Sequence, residues 1–140
     1  MLMGEYHHNI DEKGRLVIPT NFRKDIGESF VIAKGLEKCL YIYPMNKWEK
    51  LVSKLDELSF TKKDVRTFTR TFYSGATASE FDNNGRINIT SSLTHYAGLT
   101  KKCVIIGVND RLEIWDEDEF ERMLEQSSNE IENIAESLFE

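Results

Sequence analysis

Ile10-Asp11-Glu12-Lys13-Gly14-Arg15-Leu16-Val17-Ile18 decides how this chain reads, because it returns as Phe81-Asp82-Asn83-Asn84-Gly85-Arg86-Ile87-Asn88-Ile89. Asp, Gly and Arg come back 71 positions later. At a spacing of 72, Leu40, Ile42, Tyr43 and Trp48 align with Leu112, Ile114, Trp115 and Phe120. A match sustained over turn, strand and aromatic positions marks an internal duplication. The chain therefore reads as two copies of a β-rich unit of roughly 45 residues, joined by residues 46–75.

Asp-x-x-Gly-Arg has a physical meaning of its own. Asp11 and Asp82 fit the first position of a type I turn, where the carboxylate accepts a backbone N–H two residues on. Gly14 and Gly85 supply the positive φ that follows, giving a turn with a G1 bulge between two strands. Arg15 and Arg86 then leave the turn on the second strand. Leu16 and Ile18, like Ile87 and Ile89, alternate as a half-buried strand requires. Two hairpin tips are expected, each presenting one arginine.

The same order of signals follows each turn. Pro19 fits the first helical position, Phe22 and Ile26 share a face, and Gly27 ends the segment. In the second copy Thr90 or Ser91 can cap, Leu93, Tyr96 and Ala97 share a face, and Gly98 stops the helix. Apolar strands come next, Phe30–Ala33 and Cys103–Ile106, then Cys39–Tyr43 and Arg111–Trp115. Between the copies, Asn46 with Glu49 reads as a capping box ahead of an apolar stripe of Trp48, Leu51, Val52 and Leu55. Thr61 with Asp64 opens a second helix, in which Val65, Phe68 and Phe72 face inward up to Ser74-Gly75. Its other face carries Lys62, Lys63, Arg66 and Arg70. After Phe120 an apolar stripe of Leu124, Ile131, Ile134 and Leu138, interrupted at Ser127-Ser128, predicts an amphipathic helix or helix pair with an acidic outer face.

Composition bounds the function. The chain has 140 residues with 40% apolar and 30% charged side chains, an ordinary globular composition. Net charge is −6, but residues 113–140 hold eleven acids against Arg122 alone, which leaves residues 1–112 at +4. A mildly basic body with an acidic end is compatible with a polyanion partner. The absence of an apolar run of about 18 residues, and of a basic-then-apolar start, predicts a cytoplasmic protein with no membrane contact. Cys39 and Cys103 sit in apolar neighbourhoods and read as reduced core residues. With His7, His8 and His95 they form no metal-ligand spacing, so no metal or cofactor is expected.

These residues resemble the MraZ family, whose members are tandem representatives of the SpoVT–AbrB swapped-hairpin superfamily. The likeness covers the Met3-Gly4-Glu5-Tyr6 start, Asp11-x-x-Gly-Arg15 with Ile18-Pro19 and Phe22-Arg23, and Thr61-Lys-Lys-Asp64. It continues through Phe72-x-Ser74-Gly75-Ala76, Asp82-x-x-Gly-Arg86-Ile87, Tyr96-Ala97-Gly98-Leu99 and Leu112-Glu113-Ile114-Trp115. The resemblance implies an α+β fold in which two swapped-hairpin β units build one pseudo-twofold, barrel-like domain, with linker helices and a C-terminal amphipathic helix. It implies boundaries at 5–52 and 76–119 for the two units, 53–75 for the helical linker and 120–140 for the acidic helix. It further implies a transcriptional regulator at the nucleoid that assembles into rings. Such a regulator binds short G-rich direct repeats upstream of the division and cell-wall gene cluster, its own promoter included. Arg15 and Arg86 would be the DNA contacts. The second copy departs from the pattern in having Ile89-Thr90 where the first has Ile18-Pro19.

Arginine suits that role, since its planar fork pairs bidentately with guanine O6 and N7 in the major groove. Lys13, Arg23, Lys62, Lys63, Arg66 and Arg70 are further candidates, for phosphate contact only. Two other classes compete. An enzyme would need Asp11 and Asp82 to share a proton as a carboxylate dyad, but polar turns make a poor dry pocket and no nucleophile or phosphate-loop motif accompanies them, so no enzyme or small-molecule substrate is expected. A ring-forming protein-interaction scaffold without DNA readout is the alternative, and it gives no reason for repeating Gly-Arg at two turns.

Overall fold

A computed structural model describes residues 1–139. The first half runs β1 (Leu2–Asn9), β2 (Arg15–Val17), α1 (Thr20–Ile26), β3 (Ser29–Lys34), β4 (Leu40–Pro44), α2 (Met45–Asp56) and α3 (Lys63–Ser74). The second repeats that order as β5 (Thr77–Glu80), β6 (Arg86–Asn88), α4 (Ser91–Ala97), β7 (Lys102–Asn109), β8 (Leu112–Asp116), α5 (Glu117–Ser127) and α6 (Ile131–Phe139). The linker helices and the C-terminal helices are thus the same element pair in each copy. The duplicated unit is longer than the 45 or so residues that carry recognisable matches. The reason is that exposed helices need only an amphipathic pattern, which many sequences satisfy.

Six strands form one antiparallel sheet in the order β1-β7-β8-β4-β3-β5, and β2 pairs with β6 in a separate two-stranded ribbon. The order is symmetric about the β8–β4 pair, where Leu40 faces Ile114 and Ile42 faces Leu112. Each half sends its first strand to the other half's sheet strands: β1 pairs with β7, and β5 with β3. This exchange is the swapped hairpin. The strands flanking each Asp-x-x-Gly-Arg turn consequently belong to different sheets, rather than to one local hairpin. The sheet stays open, with β1 and β5 as its edges; the ribbon covers one face instead of closing a barrel.

Period-two alternation sorts the sheet into two faces. Phe30, Ile32, Leu40, Ile42, Cys103, Ile105, Leu112 and Ile114 point to one side, where they meet Leu16, Ile18, Ile87 and Ile89 of the ribbon strands, together with α1 and α4. Ala33, Tyr41, Tyr43, Val104 and Trp115 point to the other, against Phe72 of α3 and Phe120 of α5, with Trp48, Leu51 and Leu55 of α2 packed alongside. The result is three layers: ribbon and short helices, sheet, long helices. Both cysteines are buried and unpaired, and burial pushes each thiol up to about 12.

Several helix boundaries differ from the sequence expectation. Pro19 is the residue before α1 and not its first helical residue, while Thr90 caps α4 by accepting the Leu93 N–H at 3.3 Å. Asn46 and Glu49 form no capping box, because α2 already starts at Met45, directly after Pro44 ends its strand. Thr61 does not cap α3, which starts at Lys63; its hydroxyl meets that of Ser59 at 2.7 Å. The acidic C-terminal segment is two helices beginning at Glu117, broken after Ser127. Glu140, its last residue, lies outside the described residues.

Candidate nucleic-acid interface

Each turn is built as its chemistry requires. Asp11 Oδ1 accepts the N–H groups of Lys13 and Arg15 at 2.9 Å, and Gly14 takes φ +81°. Asp82 Oδ1 likewise accepts from Asn84 and Arg86 at 2.9 Å, and Gly85 takes φ +72°. The second carboxylate oxygen reaches forward along the chain. Arg15 Nε donates to Asp11 Oδ2 at 2.6 Å, and Arg86 Nε to Asp82 Oδ2 at 2.7 Å. One carboxylate therefore shapes the turn and fixes the guanidinium. Nη1 and Nη2 of both arginines, the donors a guanine edge would take, have no protein acceptor among the described residues.

The swap also brings the two arginines together. In the ribbon Leu16 faces Ile87, and both side chains are fully buried inward. Arg15 faces Asn88, and Val17 faces Arg86. Alternation then turns Arg15, Val17, Arg86 and Asn88 outward on one face. The arginines lie diagonally across it, roughly 7–8 Å apart by strand geometry. What the sequence led one to expect as two separate tips is a single outward face. The ladder continues past each end, where Ile89 N–H donates to Gly14 O at 2.7 Å and Ile18 N–H to Gly85 O at 3.0 Å. Each turn packs beside a helix of the other half: Asp11–Gly14 beside Ser91, Thr94 and His95, and Asp82–Gly85 beside Arg23 and Lys24.

The remaining basic candidates divide by layer. Lys13 is exposed in the first turn, next to the ribbon. Arg23 is held by its own half, donating to Ile18 O at 2.7 Å and Thr20 Oγ1 at 2.9 Å, and its guanidinium lies against Gly85. Lys62, Lys63, Arg66 and Arg70 are not brought to the ribbon, because α3 packs through Phe72 on the opposite face of the sheet. Arg66 closes the α2–α3 connection by donating to Phe60 O and Thr61 O, both at 3.0 Å. Asn88 and Val17 are the outward residues that motif reading missed, although strand alternation around Leu16 and Ile87 contains the signal.

No group of three His, Cys, Asp or Glu side chains among the described residues could hold a metal ion. Among the described residues Asp11 and Asp82 make no contact as a dyad, each carboxylate bonding within its own turn and to its own arginine. Asp11 and Asp82 are each held below the usual carboxylate range, foremost by the backbone N–H of Arg15 or Arg86, whereas proton sharing would raise one of the two. His7 sits on β1, at the sheet edge, with Nδ1 2.9 Å from Glu117 and Nε2 2.7 Å from Glu5. Those two carboxylates, Glu117 first, raise its pKa.

A family model described as "MraZ protein, putative antitoxin-like" matches residues 1–71 and again residues 72–140. The chain belongs to the MraZ family. The two matched segments meet inside α3, a few residues before the element order repeats at β5. A protein of Lactobacillus gasseri named "Transcriptional regulator MraZ" is 49% identical over 138 residues, covering 99% of this chain and 96% of its own length. One of Lactobacillus johnsonii with the same name is 48% identical over the same span. The family is thus one of regulators by name, not of enzymes. No helix among the described residues is long and apolar enough to cross a membrane.

A prediction arises from the turns themselves. Because the Asp11 and Asp82 pKa values are lowered, ionised carboxylates favour the folded turn. That contribution is complete above the ordinary value of 3.8 and is lost as pH falls through the lowered folded value. NMR titration should place both midpoints below 3.8. Asp11→Asn keeps an acceptor for the turn but loosens the hold on Arg15. Duplex affinity measured at pH 7 should then fall by about three- to tenfold, the cost of immobilising one long side chain on binding.

Proposed function

We propose that this chain is a sequence-specific DNA-binding transcriptional regulator that lays the β2–β6 ribbon in the major groove, with Arg15 and Arg86 pairing with guanines. The observation that carries this reading is the ribbon's outer face, where two arginines, each anchored through Nε, have no acceptor on either Nη group among the described residues. A two-stranded ribbon fits the major groove, and a spacing of roughly 7–8 Å spans about two base-pair steps of 3.4 Å. The names of the relatives support the regulatory role. Its sites are short G-rich direct repeats in the promoter of the division and cell-wall gene cluster, which places the protein at the nucleoid.

Lys13 supplies phosphate contact from the ribbon side of the molecule. Lys13→Gln should reduce the slope of log affinity against log salt by about one. Lys63→Gln and Arg70→Gln, on the far layer, should leave that slope unchanged. Anisotropy of a labelled promoter duplex over a salt series reads both outcomes.

One ribbon makes too few contacts for tight binding, so copies act together as a ring on successive repeats, each further engagement being effectively intramolecular. α6 buries none of its residues and leaves Ile131, Ile134 and Leu138 exposed along an acidic helix. α3 leaves Phe68 partly exposed, an apolar contact on which a neighbouring copy's α6 can dock. Ile134→Glu with Leu138→Glu should turn the assembly into monomers in light scattering and lower affinity for a multi-repeat duplex at least tenfold, while binding to a single repeat changes little. Full assembly in that double mutant would rule out α6 as the contact. A scaffold without DNA readout would instead bind promoter and unrelated duplexes equally and weakly.

A further inference from the structure

The twofold symmetry of the reading face is broken at one pair of positions. The repeat relates Arg15 to Arg86, and Val17 to Asn88, about the facing pair Leu16–Ile87. Two arginines alone would read a site identically in either direction, and a reader of that kind has no polarity. Direct repeats demand a polar reader, since every copy in the array must engage its repeat in the same sense.

Resting on the reading above, we infer that Asn88 and Val17 give the ribbon its polarity. Asn88 selects adenine beside the guanine read by Arg15, and Val17 offers only methyl groups beside Arg86. Asn88 is exposed, stands directly across from Arg15, and its side-chain amide has no hydrogen-bond partner among the described residues. It lies next to the first turn, with Oδ1 3.6 Å from where a Cβ on Gly14 would be. An asparagine amide matches adenine N6 and N7 bidentately, as arginine matches guanine. Val17 can accept a thymine methyl by apolar contact but makes no hydrogen bond to a base. The turns reinforce the difference, for the first carries Glu12-Lys13 and the second Asn83-Asn84. The site for one chain is therefore non-palindromic: two guanines, with an adenine required on one side only.

The test uses the full chain and a promoter duplex carrying one repeat, with every base pair substituted in turn. Wild type should lose roughly tenfold in affinity at one A·T pair adjacent to a guanine. Asn88→Val should abolish the discrimination at that pair and leave the guanine preferences in place. The exchange Val17→Asn with Asn88→Val should restore it on the opposite side, so that the preferred site reads in reverse. Thermal melting confirms that the variants fold; both positions lie on the outer face, so core packing is untouched. Unchanged discrimination in Asn88→Val, or an equal loss on every duplex, overturns the inference. Arg15→Ala measured in parallel separates the two readings. If it abolishes binding while Asn88→Val changes no preference, the arginine readout stands and the polarity assignment falls. If it too has no effect, the ribbon is not the reading head and both fall.

Discussion

Arg15→Ala and Arg86→Ala are each expected to lower affinity for a duplex from upstream of the protein's own gene by roughly 5- to 150-fold, the range that one bidentate arginine–guanine pair commands. The double mutant should bind that duplex no better than an unrelated one. Both side chains stand on the outer face of the ribbon and, among the described residues, pair only with the aspartate of their own turn, so the core layers lose nothing. Circular dichroism and melting temperature should therefore match wild type. On the proposed reading, a chain of net charge −6 meets DNA through a small cationic face that acts locally, while the acid-rich α5 lies in the opposite layer. In a ring the loss recurs at every engaged copy, so a multi-repeat promoter should show a steeper fall than a single repeat. Wild-type affinity in both single mutants and in the double would sink the assignment.

The second large effect separates two glycines that the motif treats as equal. Gly14 and Gly85 both take positive φ, so alanine at either is strained by about 1–2 kcal/mol. Their surroundings differ. A Cβ on Gly14 would press on the carbonyl oxygen of Ile89, which belongs to the backbone ladder closing the ribbon. A Cβ on Gly85 would meet the end of the Arg23 side chain, which can swing out into the groove beside the turn and exchange its bonds to Ile18 O and Thr20 Oγ1 for water. Gly14→Ala should therefore destabilise the protein by about 2–4 kcal/mol, strain and overpacking together, and Gly85→Ala by about 1–2 kcal/mol. Denaturant unfolding of the two mutants measures the difference. Equal losses would show that the Ile89 carbonyl yields as readily as a side chain.

That asymmetry bears on how the duplication has diverged. Thr94 occupies the place in the second half that Arg23 holds in the first, so only the second turn is buttressed by a guanidinium. Pro19 and Thr90 both precede their helices, yet only Thr90 caps with its side chain. The departure from proline at Thr90 thus replaces a rigid entry with a hydrogen-bonded one and leaves Arg86, four residues upstream, in place.

Much of this molecule was legible before its structure. The doubled Asp-x-x-Gly-Arg specifies two turns because the requirements are local: an acceptor two residues from an N–H, and a positive φ that glycine alone takes without strain. The alternation of Leu16 and Ile18, and of Ile87 and Ile89, marks strand faces for the same reason. Helix starts were less legible. Pro44 ends β4 and leads into α2, and α3 begins after Lys62, both with no side-chain cap, so the caps the sequence offered at Asn46 and Thr61 went unused. What the sequence by itself determined is the turn, the alternation and the arginine. The tertiary structure alone decided that Arg15 and Arg86 share one face, that Asn88 and Val17 join them, and that the α3 cations lie on the other side of the sheet. Those outcomes depend on pairing between β2 and β6, residues some 70 positions apart, through a register set by burying Leu16 against Ile87. Local chemistry carries no record of that pairing; only the closing of a shared core imposes it.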